Sequence, residues 1–221
     1  HLGAQGGKKY SNNILDKAMN YYSKEPKGNW SPISLFEGKE VLLIGSGPGV
    51  FLHKNAIETY IKNSKPLVVA LNAQSSIDDE LIDVMIACHP IRLKIDFDRL
   101  TKLSKPLITP ASCLPGDVLN LLTSIEILDY GLGVQNSKQI YDKTWCNLSS
   151  PLVISYALAV ASSGKSKQIF LAGFDGYSAE DPRRIENDIV FKAHKDTKSA
   201  VPLLAVTPTS YNIDSTSIYA L

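Results

Sequence analysis

The residues that could do chemistry are grouped in short segments, and the most distinctive is Gly45-Ser46-Gly47-Pro48-Gly49, which follows the apolar run 41–44. Glycines let a backbone approach a ligand closely, and a helix that begins at such a turn favours an anion at its N-terminus. The turn therefore predicts a nucleotide- or anion-binding site. A tight turn without a ligand is the alternative.

This turn differs from the two best-known phosphate-binding patterns. Val50 stands where the dinucleotide fingerprint has its third glycine, and the apolar run 67–71 ends in neutral Asn72 instead of an acid for a ribose. The sequence also lacks the Gly-Lys-Ser/Thr of a P-loop. A conventional NAD or ATP site is therefore disfavoured. Asn72 could hydrogen-bond a base, ribose or sugar, or it could cap the loop that follows.

Two segments contribute candidates for acid–base chemistry. His89 could act as an acid or a base, and Arg92 could hold a phosphate or carboxylate. Beside a proline, His89 also suits a structural hydrogen bond, so binding is favoured over catalysis at this segment. Asp175, in the segment 173–177, is the second candidate for a catalytic group.

Charged and hydroxyl side chains follow near the C-terminus. Arg183 and Arg184 could clamp a polyanion or form a solvated ion-pair loop with neighbouring aspartates, and threonine hydroxyls near 207–209 could meet phosphate oxygens. The sequence offers no metal-ligand cluster and no Ser/His/Asp order, so we predict no metal and disfavour a hydrolase. The predicted nucleotide- or anion-binding residues are Gly45, Ser46, Gly47, Pro48, Gly49, Asn72, Arg92, Gly173, Asp175, Arg183, Arg184, Thr207 and Thr209.

Alternating strands and helices must position these segments. Strands are predicted over 41–44, 66–71, 83–88, 106–109, 125–129, 168–172 and 203–206, and helices over 54–63, near 77–82 and 96–103, and over 115–123 and 152–161. Ser149 or Ser150 would cap the last helix, with Pro151 in its first turn. This alternation predicts an α/β, Rossmann-like, mostly parallel sheet with helices on both faces, and ligands beyond the carboxyl ends of its strands.

Composition limits the domain organisation and the partners. Lys plus Arg (23) nearly equals Asp plus Glu (22), which disfavours a nucleic-acid-coating surface, and no apolar run of membrane-spanning length or secretory signal is visible. Three cysteines without a CxxC pair predict reduced thiols in a cytoplasmic protein. Because the chain starts without Met, we expect residues 1–35 to be a connector, with an amphipathic helix around Ile14–Tyr22, and 36–221 to be the α/β domain.

The glycine turn and the residues around it resemble part of several known families. Val41 to Gly49, followed by Leu71-Asn72, resembles the opening of the Rossmann-like domains of bacterial sialyltransferases, motility-accessory-factor glycosyltransferases and 6-hydroxymethylpterin diphosphokinase-like proteins. Those families typically have Gly-x-Gly-Pro-Ser, whereas here Gly49 replaces Ser. The sialyltransferase resemblance implies that Gly45, Gly47, Pro48 and Asn72 help hold a cytidine nucleotide. The stretch 157–175 also resembles the later helix–strand unit of these domains.

A second resemblance covers nearly the whole chain, from Asn12 to Leu221. Residues 87–90, 172–177, 181–184 and 207–209 resemble the C-terminal region of bacterial aldolase-like proteins of the hydroxymethylglutaryl-lyase/4-hydroxy-2-oxovalerate aldolase kind. This resemblance implies a parent carbon–carbon lyase, an N-terminal aldolase domain as partner, and a role in surface-polysaccharide or acidic-sugar biosynthesis. A barrel of eight βα units does not fit this pattern, so we assign no aldolase chemistry to the chain.

Three functions remain open from the sequence. The first is a domain that binds a small-molecule nucleotide or nucleotide-sugar, such as a cytidine nucleotide. One version of this function is a transferase. The second is a non-catalytic domain that regulates or oligomerises an aldolase, with a homo-oligomer as one outcome. The third, a pterin-type pyrophosphokinase, would need an acidic magnesium cluster. Fold alone decides none of them.

Overall fold

A parallel sheet with helices on both faces forms the centre of the computed structural model, which describes Tyr22 and residues 25–73, 76–135 and 139–221. In chain order the strands are β1 (Glu40–Ile44), β2 (Leu67–Leu71), β3 (Val84–Ile86), β4 (Leu107–Thr109), β5 (Ile127–Asp129), β6 (Gly131–Val134), β7 (Ile140–Tyr141), β8 (Trp145–Leu148), β9 (Gln168–Ala172) and β10 (Leu203–Ala205). The Rossmann-like α/β prediction is confirmed. The predicted connector helix lies outside the described residues, apart from Tyr22.

Eight α-helices accompany the strands in the described part of the chain. They are α1 (Ile33–Phe36), α2 (Pro48–Leu52), α3 (Lys54–Ser64), α4 (Pro90–Ile95), α5 (Phe97–Leu103), α6 (Gly116–Leu121), α7 (Val153–Ser163) and α8 (Pro182–Lys195). Short 3₁₀ turns cover Asp79–Leu81, Ala111–Cys113, Leu122–Ser124 and Ile218–Ala220. The element predicted near 77–82 is therefore a single 3₁₀ turn.

The order of the seven strands of the large sheet determines where a ligand can enter. The order is β10-β9-β1-β2-β3-β4-β5, and every neighbouring pair is parallel. The chain therefore moves outward from β1 in one direction through β5, and then returns to place β9 on the other side of β1. This reversal is a topological switch point: the loops after β1 and β9 turn to opposite faces, and sheets of this kind bind ligands in the crevice at such a point.

Two hydrophobic cores cover the two faces of this sheet. Alternate residues of β1 supply them, with Leu43 packed in one core beside α7 and α8, and Leu42 packed in the other beside α3 and α5. All five residues of β2 are buried. Strands buried on both faces appear in a sequence as continuous apolar runs, which is why these strands were predictable.

A second, three-stranded sheet was not predicted. It has the order β6-β8-β7, with β6 parallel and β7 antiparallel to β8. The chain before α1 packs against it, because a Cβ at Gly28 would lie 2.5 Å from the nitrogen of Gly131. The main-chain N–H groups of Asn29 and Trp30 both donate to the carbonyl oxygen of Asp129 at 3.1 Å.

The start of α7 differs from the prediction. The helix begins at Val153 after Leu152, and no side chain caps it, so the predicted capping by Ser149 or Ser150 is wrong. Leu152 is still extended, with ψ of 139°, and the carbonyl oxygen of Pro151 accepts a hydrogen bond from the Cys88 thiol at 3.5 Å. This contact lies just before the helix, where the chain is still extended.

Candidate functional site

The glycine turn lies at the switch point, on the carboxyl side of β1. Its base is joined to β9, because the N–H of Gly45 donates to the carbonyl oxygen of Ala172 at 2.8 Å and that of Gly47 to Gly173 at 3.0 Å. Gly47 precedes α2, and Pro48 is the first residue of that helix. Ser46 and Pro48 are exposed, whereas Gly45 and Gly49 are buried.

The glycines allow the loops after β1 and β9 to approach closely. A Cβ at Gly45 would lie 2.7 Å from the carbonyl oxygen of Gly173. Gly173 itself has a φ of +77°, and a Cβ there would lie 2.3 Å from Cγ2 of Val50. Gly45 and Gly173 therefore cannot be replaced by a larger residue without moving a loop. The glycines pack against other parts of the same chain, a contact that was not predicted from the sequence.

The Asp175 carboxylate occupies the turn. The N–H of Gly49 donates to Oδ1 of Asp175 at 2.8 Å, within the first turn of α2. A Cβ at Gly47 would lie 2.1 Å from Oδ2 of Asp175, and a Cβ at Gly49 would lie 2.6 Å from Oδ1. Oδ2 is buried and has no hydrogen-bond partner among the described residues. The structure therefore holds a carboxylate at the switch point with one oxygen paired and the other unpaired.

Threonine hydroxyls fasten the loop after β9 to the loop after β10. The N–H of Gly173 donates to Oγ1 of Thr207 at 2.9 Å, and Oγ1 of Thr209 donates to the carbonyl oxygen of Phe174 at 2.6 Å. The N–H of Ser210 donates to the carbonyl oxygen of Asp175 at 2.9 Å. Thr207 and Thr209 therefore position the backbone of the two residues that precede Asp175.

The two predicted arginines lie at the start of α8, which the sequence analysis treated as a loop. Asp181 caps this helix by accepting from the N–H of Arg183 at 2.9 Å, and it also pairs with the Arg183 guanidinium. Arg183 lies over the ring of Tyr177, 4.1 Å from its centroid. Arg184 donates to the carbonyl oxygen of Ser210 at 3.2 Å.

Asn72 and His89 lie beyond the ends of β2 and β3, on the same edge of the sheet. Asn72 has a left-handed φ of +58°, and its N–H donates to the carbonyl oxygen of Ile86 at 2.8 Å. Nδ1 of His89 caps α4 by accepting from the N–H of Ile91 at 3.3 Å. Burial lowers the pKa of His89 to about 4. The ring is therefore neutral near pH 7, with its proton on Nε2, and it can donate a hydrogen bond but is a poor acid–base catalyst there.

Arg92 is turned to a neighbour on its own helix. Its Nε lies 2.7 Å from Oδ2 of Asp96, and both side chains are largely buried. This i,i+4 pair joins α4 to the start of α5. Within the described residues, no group of three or more His, Cys, Asp or Glu side chains could hold a metal ion.

The switch point therefore brings together some of the predicted nucleotide- or anion-binding residues. The residues in contact there are Gly45, Gly47, Gly49, Gly173, Asp175, Thr207 and Thr209. Arg183 and Arg184 begin the helix that leaves this loop, and Arg92 pairs elsewhere. The sequence analysis did not anticipate that Asp175 meets the glycine turn, and no local pattern signals a contact across 126 positions.

Comparisons with known proteins add a fold relationship. No family model matches the chain, and no curated protein matches it. A solved structure described as a MAf glycosyltransferase from Magnetospirillum magneticum AMB-1 is similar, with a TM-score of 0.64 and 12% sequence identity. The match covers 97% of this chain and 40% of that chain. At this identity the similarity establishes the shared α/β fold, and this chain corresponds to less than half of the larger protein.

Among the described residues, no helix is both long and apolar enough to cross a bilayer.

Proposed function

We propose that this domain binds a nucleotide-activated sugar in the crevice between β1 and β9. In this proposal a hydroxyl group of the sugar or ribose donates to Oδ2 of Asp175. The support is the position of that oxygen, which is buried and unpartnered among the described residues and lies at the strand reversal where such sheets bind ligands. A buried carboxylate oxygen without a donor is costly, and a ligand hydroxyl would satisfy it.

The same geometry favours a hydroxyl over a phosphate at the glycine turn. The Gly49 N–H, which a phosphate would use, already donates to Asp175. A phosphate placed beside it would lie against the carboxylate, and like charges at close range repel strongly away from bulk water. The anionic part of the ligand would therefore lie away from Asp175. This sharpens the sequence prediction, which placed an anion on the turn itself.

The structural neighbour supports a sugar-related role. The neighbour is described as a glycosyltransferase, and this chain matches 40% of it. Transfer activity of the present chain is therefore the further part of the proposal. If transfer occurs, Asp175 is the candidate to orient or deprotonate an acceptor hydroxyl, because its carboxylate is fixed and one of its oxygens has no hydrogen-bond partner among the described residues. His89 would serve as a hydrogen-bond donor, since its ring is neutral at neutral pH.

A second candidate function is an accessory domain that docks on another protein. Its support is the exposure of Phe51 and Leu52, at 71% and 70%, on α2 directly after the glycine turn. The aldolase parent stays a prediction from the sequence resemblance. The pyrophosphokinase alternative gains no support, because the described residues contain no cluster suited to magnesium.

Calorimetry on the full chain tests the proposed function. The titrants are CMP, CTP and a CMP-activated acidic sugar, chosen because the sequence resemblance points to cytidine nucleotides. We expect the activated sugar to bind and Asp175→Asn to weaken it at least tenfold, since the amide cannot offer the same charge-assisted acceptor. Asp98→Asn is the matched control, because Asp98 is exposed on α5. Absence of binding for all three titrants would exclude a cytidine-nucleotide site.

A further inference from the structure

A hydrogen-bond network outside the candidate site joins β7 to the end of α8. The ring of Tyr141 stacks on that of His194, with centroids 6.0 Å apart, and its hydroxyl lies 3.1 Å from Nδ1 of His194. The same hydroxyl lies 2.9 Å from Oε1 of Gln139. His194 is 2% exposed, and its Nε2 lies 2.9 Å from the carbonyl oxygen of Val201.

The protons of this network determine which group donates to which. Because Nε2 of His194 faces a carbonyl oxygen, that nitrogen carries the proton of the neutral ring, and Nδ1 is an acceptor. Tyr141 then has one proton for two acceptors, Nδ1 of His194 and Oε1 of Gln139. Thr197 also contacts this hydroxyl, and the Thr197 hydroxyl donates to the carbonyl oxygen of Ala193 at 2.7 Å.

The orientation of the Gln139 amide decides which acceptor receives the Tyr141 proton. Its Nε2 is buried with no partner among the described residues, while its Oε1 faces Tyr141. The two ends of an amide have nearly the same shape, so turning the group over costs little packing. Nε2 then donates to the Tyr141 oxygen, and the Tyr141 proton is directed to His194. The remaining unpaired atom is a carbonyl oxygen, which is less costly to bury than an unpaired N–H.

We propose that Gln139, Tyr141 and His194 form a relay whose direction is set by the protonation of His194. With a neutral ring, donation runs from Gln139 through Tyr141 to His194. When Nδ1 takes up a proton, it becomes a donor, Tyr141 accepts from it, and the Tyr141 proton turns to Oε1 of Gln139. Strand β7 and helix α8 stay joined in both states, and a proton at His194 appears as a reversal of the Gln139 amide.

The surroundings of His194 let this relay respond to a single proton. Tyr141 on β7 faces His194 from another element, Cys146 on β8 pairs with Tyr141 in the small sheet, and burial raises the pKa of both Tyr141 and Cys146. The side facing α7 carries a hydroxyl, since Oγ of Ser162 accepts from the N–H of Val201 at 3.2 Å. Burial lowers the pKa of His194, and the Val201 carbonyl acts in the opposite direction. Among the described residues, no charged side chain contributes to the lowered pKa of His194. Because burial keeps the ring neutral until the pH is acidic, the relay reverses in acid.

Nuclear magnetic resonance of the full chain, followed from about pH 7.5 downwards until the His194 ring has taken up its proton, tests the relay. We expect His194 to carry its proton on Nε2 at the upper limit, and the Gln139 side-chain amide signals to shift with the same midpoint as the His194 ring. In Tyr141→Phe the Gln139 signals should stop following His194, while the amides of β1 report an unchanged fold.

A second variant keeps the test decisive if Tyr141→Phe folds poorly. His194→Gln cannot titrate, so its Gln139 signals should be constant over this range. The relay is overturned if the neutral ring carries its proton on Nδ1, if the Gln139 signals do not follow His194 in the unmodified chain, or if they still titrate in either variant. None of these outcomes depends on sugar binding, so the relay and the proposed function fail separately.

Discussion

The main-chain N–H of Gly49 donates to Oδ1 of Asp175 at 2.8 Å, and this bond joins the loop after β1 to the loop after β9. The glycine turn thus provides space and an N–H for a carboxylate of the same chain. The second oxygen of that carboxylate lies over Gly47 and has no hydrogen-bond partner among the described residues. A turn that resembles an anion site in sequence is therefore the support for an acidic residue.

Gly47→Ala should damage this arrangement. The added methyl group would lie 2.1 Å from Oδ2 of Asp175 and 2.5 Å from the carbonyl oxygen of Gly173, so one of the loops must move. We expect the free energy of unfolding to fall by about 1–3 kcal/mol, as for other overpacked sites. Urea denaturation measures the change.

Gly116→Ala is the matched control for this substitution. Nothing lies within 4 Å of a Cβ at Gly116, in the first turn of α6. The free energy of unfolding should therefore be unchanged or rise by up to about 1 kcal/mol, since alanine restricts the unfolded chain. Equal stability of the Gly47 and Gly116 variants would show that the loops are not in close contact.

Thr207→Val should loosen the loop that carries Asp175. Valine keeps the shape but removes Oγ1, which accepts from the buried N–H of Gly173 at 2.9 Å. An unpaired buried N–H costs about 1–3 kcal/mol of stability. Thr207→Ser keeps the hydroxyl and should lose less, because only a methyl group is removed. If denaturation shows the serine variant to be as unstable as the valine variant, the hydrogen bond is not the cause.

His89→Asn should make the protein more resistant to acid. The pKa of His89 is lowered from 6.5 to about 4 in the folded state, so the unfolded state binds a proton more readily. The stability that this neutral ring contributes is present above about pH 6.5 and is lost as the pH falls towards 4. Asparagine can still cap α4, and it does not titrate.

The size of this effect follows from the shift. At about pH 5 the His89→Asn variant should gain about 1–2 kcal/mol relative to the unmodified chain, compared with their difference at about pH 7.5. Denaturation of both proteins over this pH range measures it. If the free energies of unfolding of the two proteins change in parallel with pH, His89 has the same pKa in the folded and unfolded chains.

The large sheet could be predicted because its strands are buried on both faces. Val41–Ile44 and Gln168–Ala172 appear as apolar runs that end in glycine, and the structure places strands there. The strand β6 escaped prediction because it includes two glycines, and β7 escaped because it has only two residues. Packing against distant segments defines them, and a local pattern does not contain that information.

The helix α8 could have been predicted from signals that were present. Asp181 followed by Pro182 is an N-cap and first-turn pair, and Val190, Phe191 and His194 fall at helical spacing and are buried. The many charged residues between them favoured a loop. By contrast, the contact of Asp175 with the glycine turn has no local signal, because the two segments meet only once the sheet has formed.

The most direct test of the account is the location of the ligand. Nuclear magnetic resonance would follow main-chain amides as a CMP-activated acidic sugar is added to the full chain and to Asp175→Asn. We expect the largest shifts at Gly47, Gly49 and Gly173, and we expect these shifts to be lost at the same ligand concentration in the variant. Shifts confined to the β6-β8-β7 sheet, or an unchanged pattern in Asp175→Asn, would contradict a sugar site at the β1–β9 crevice.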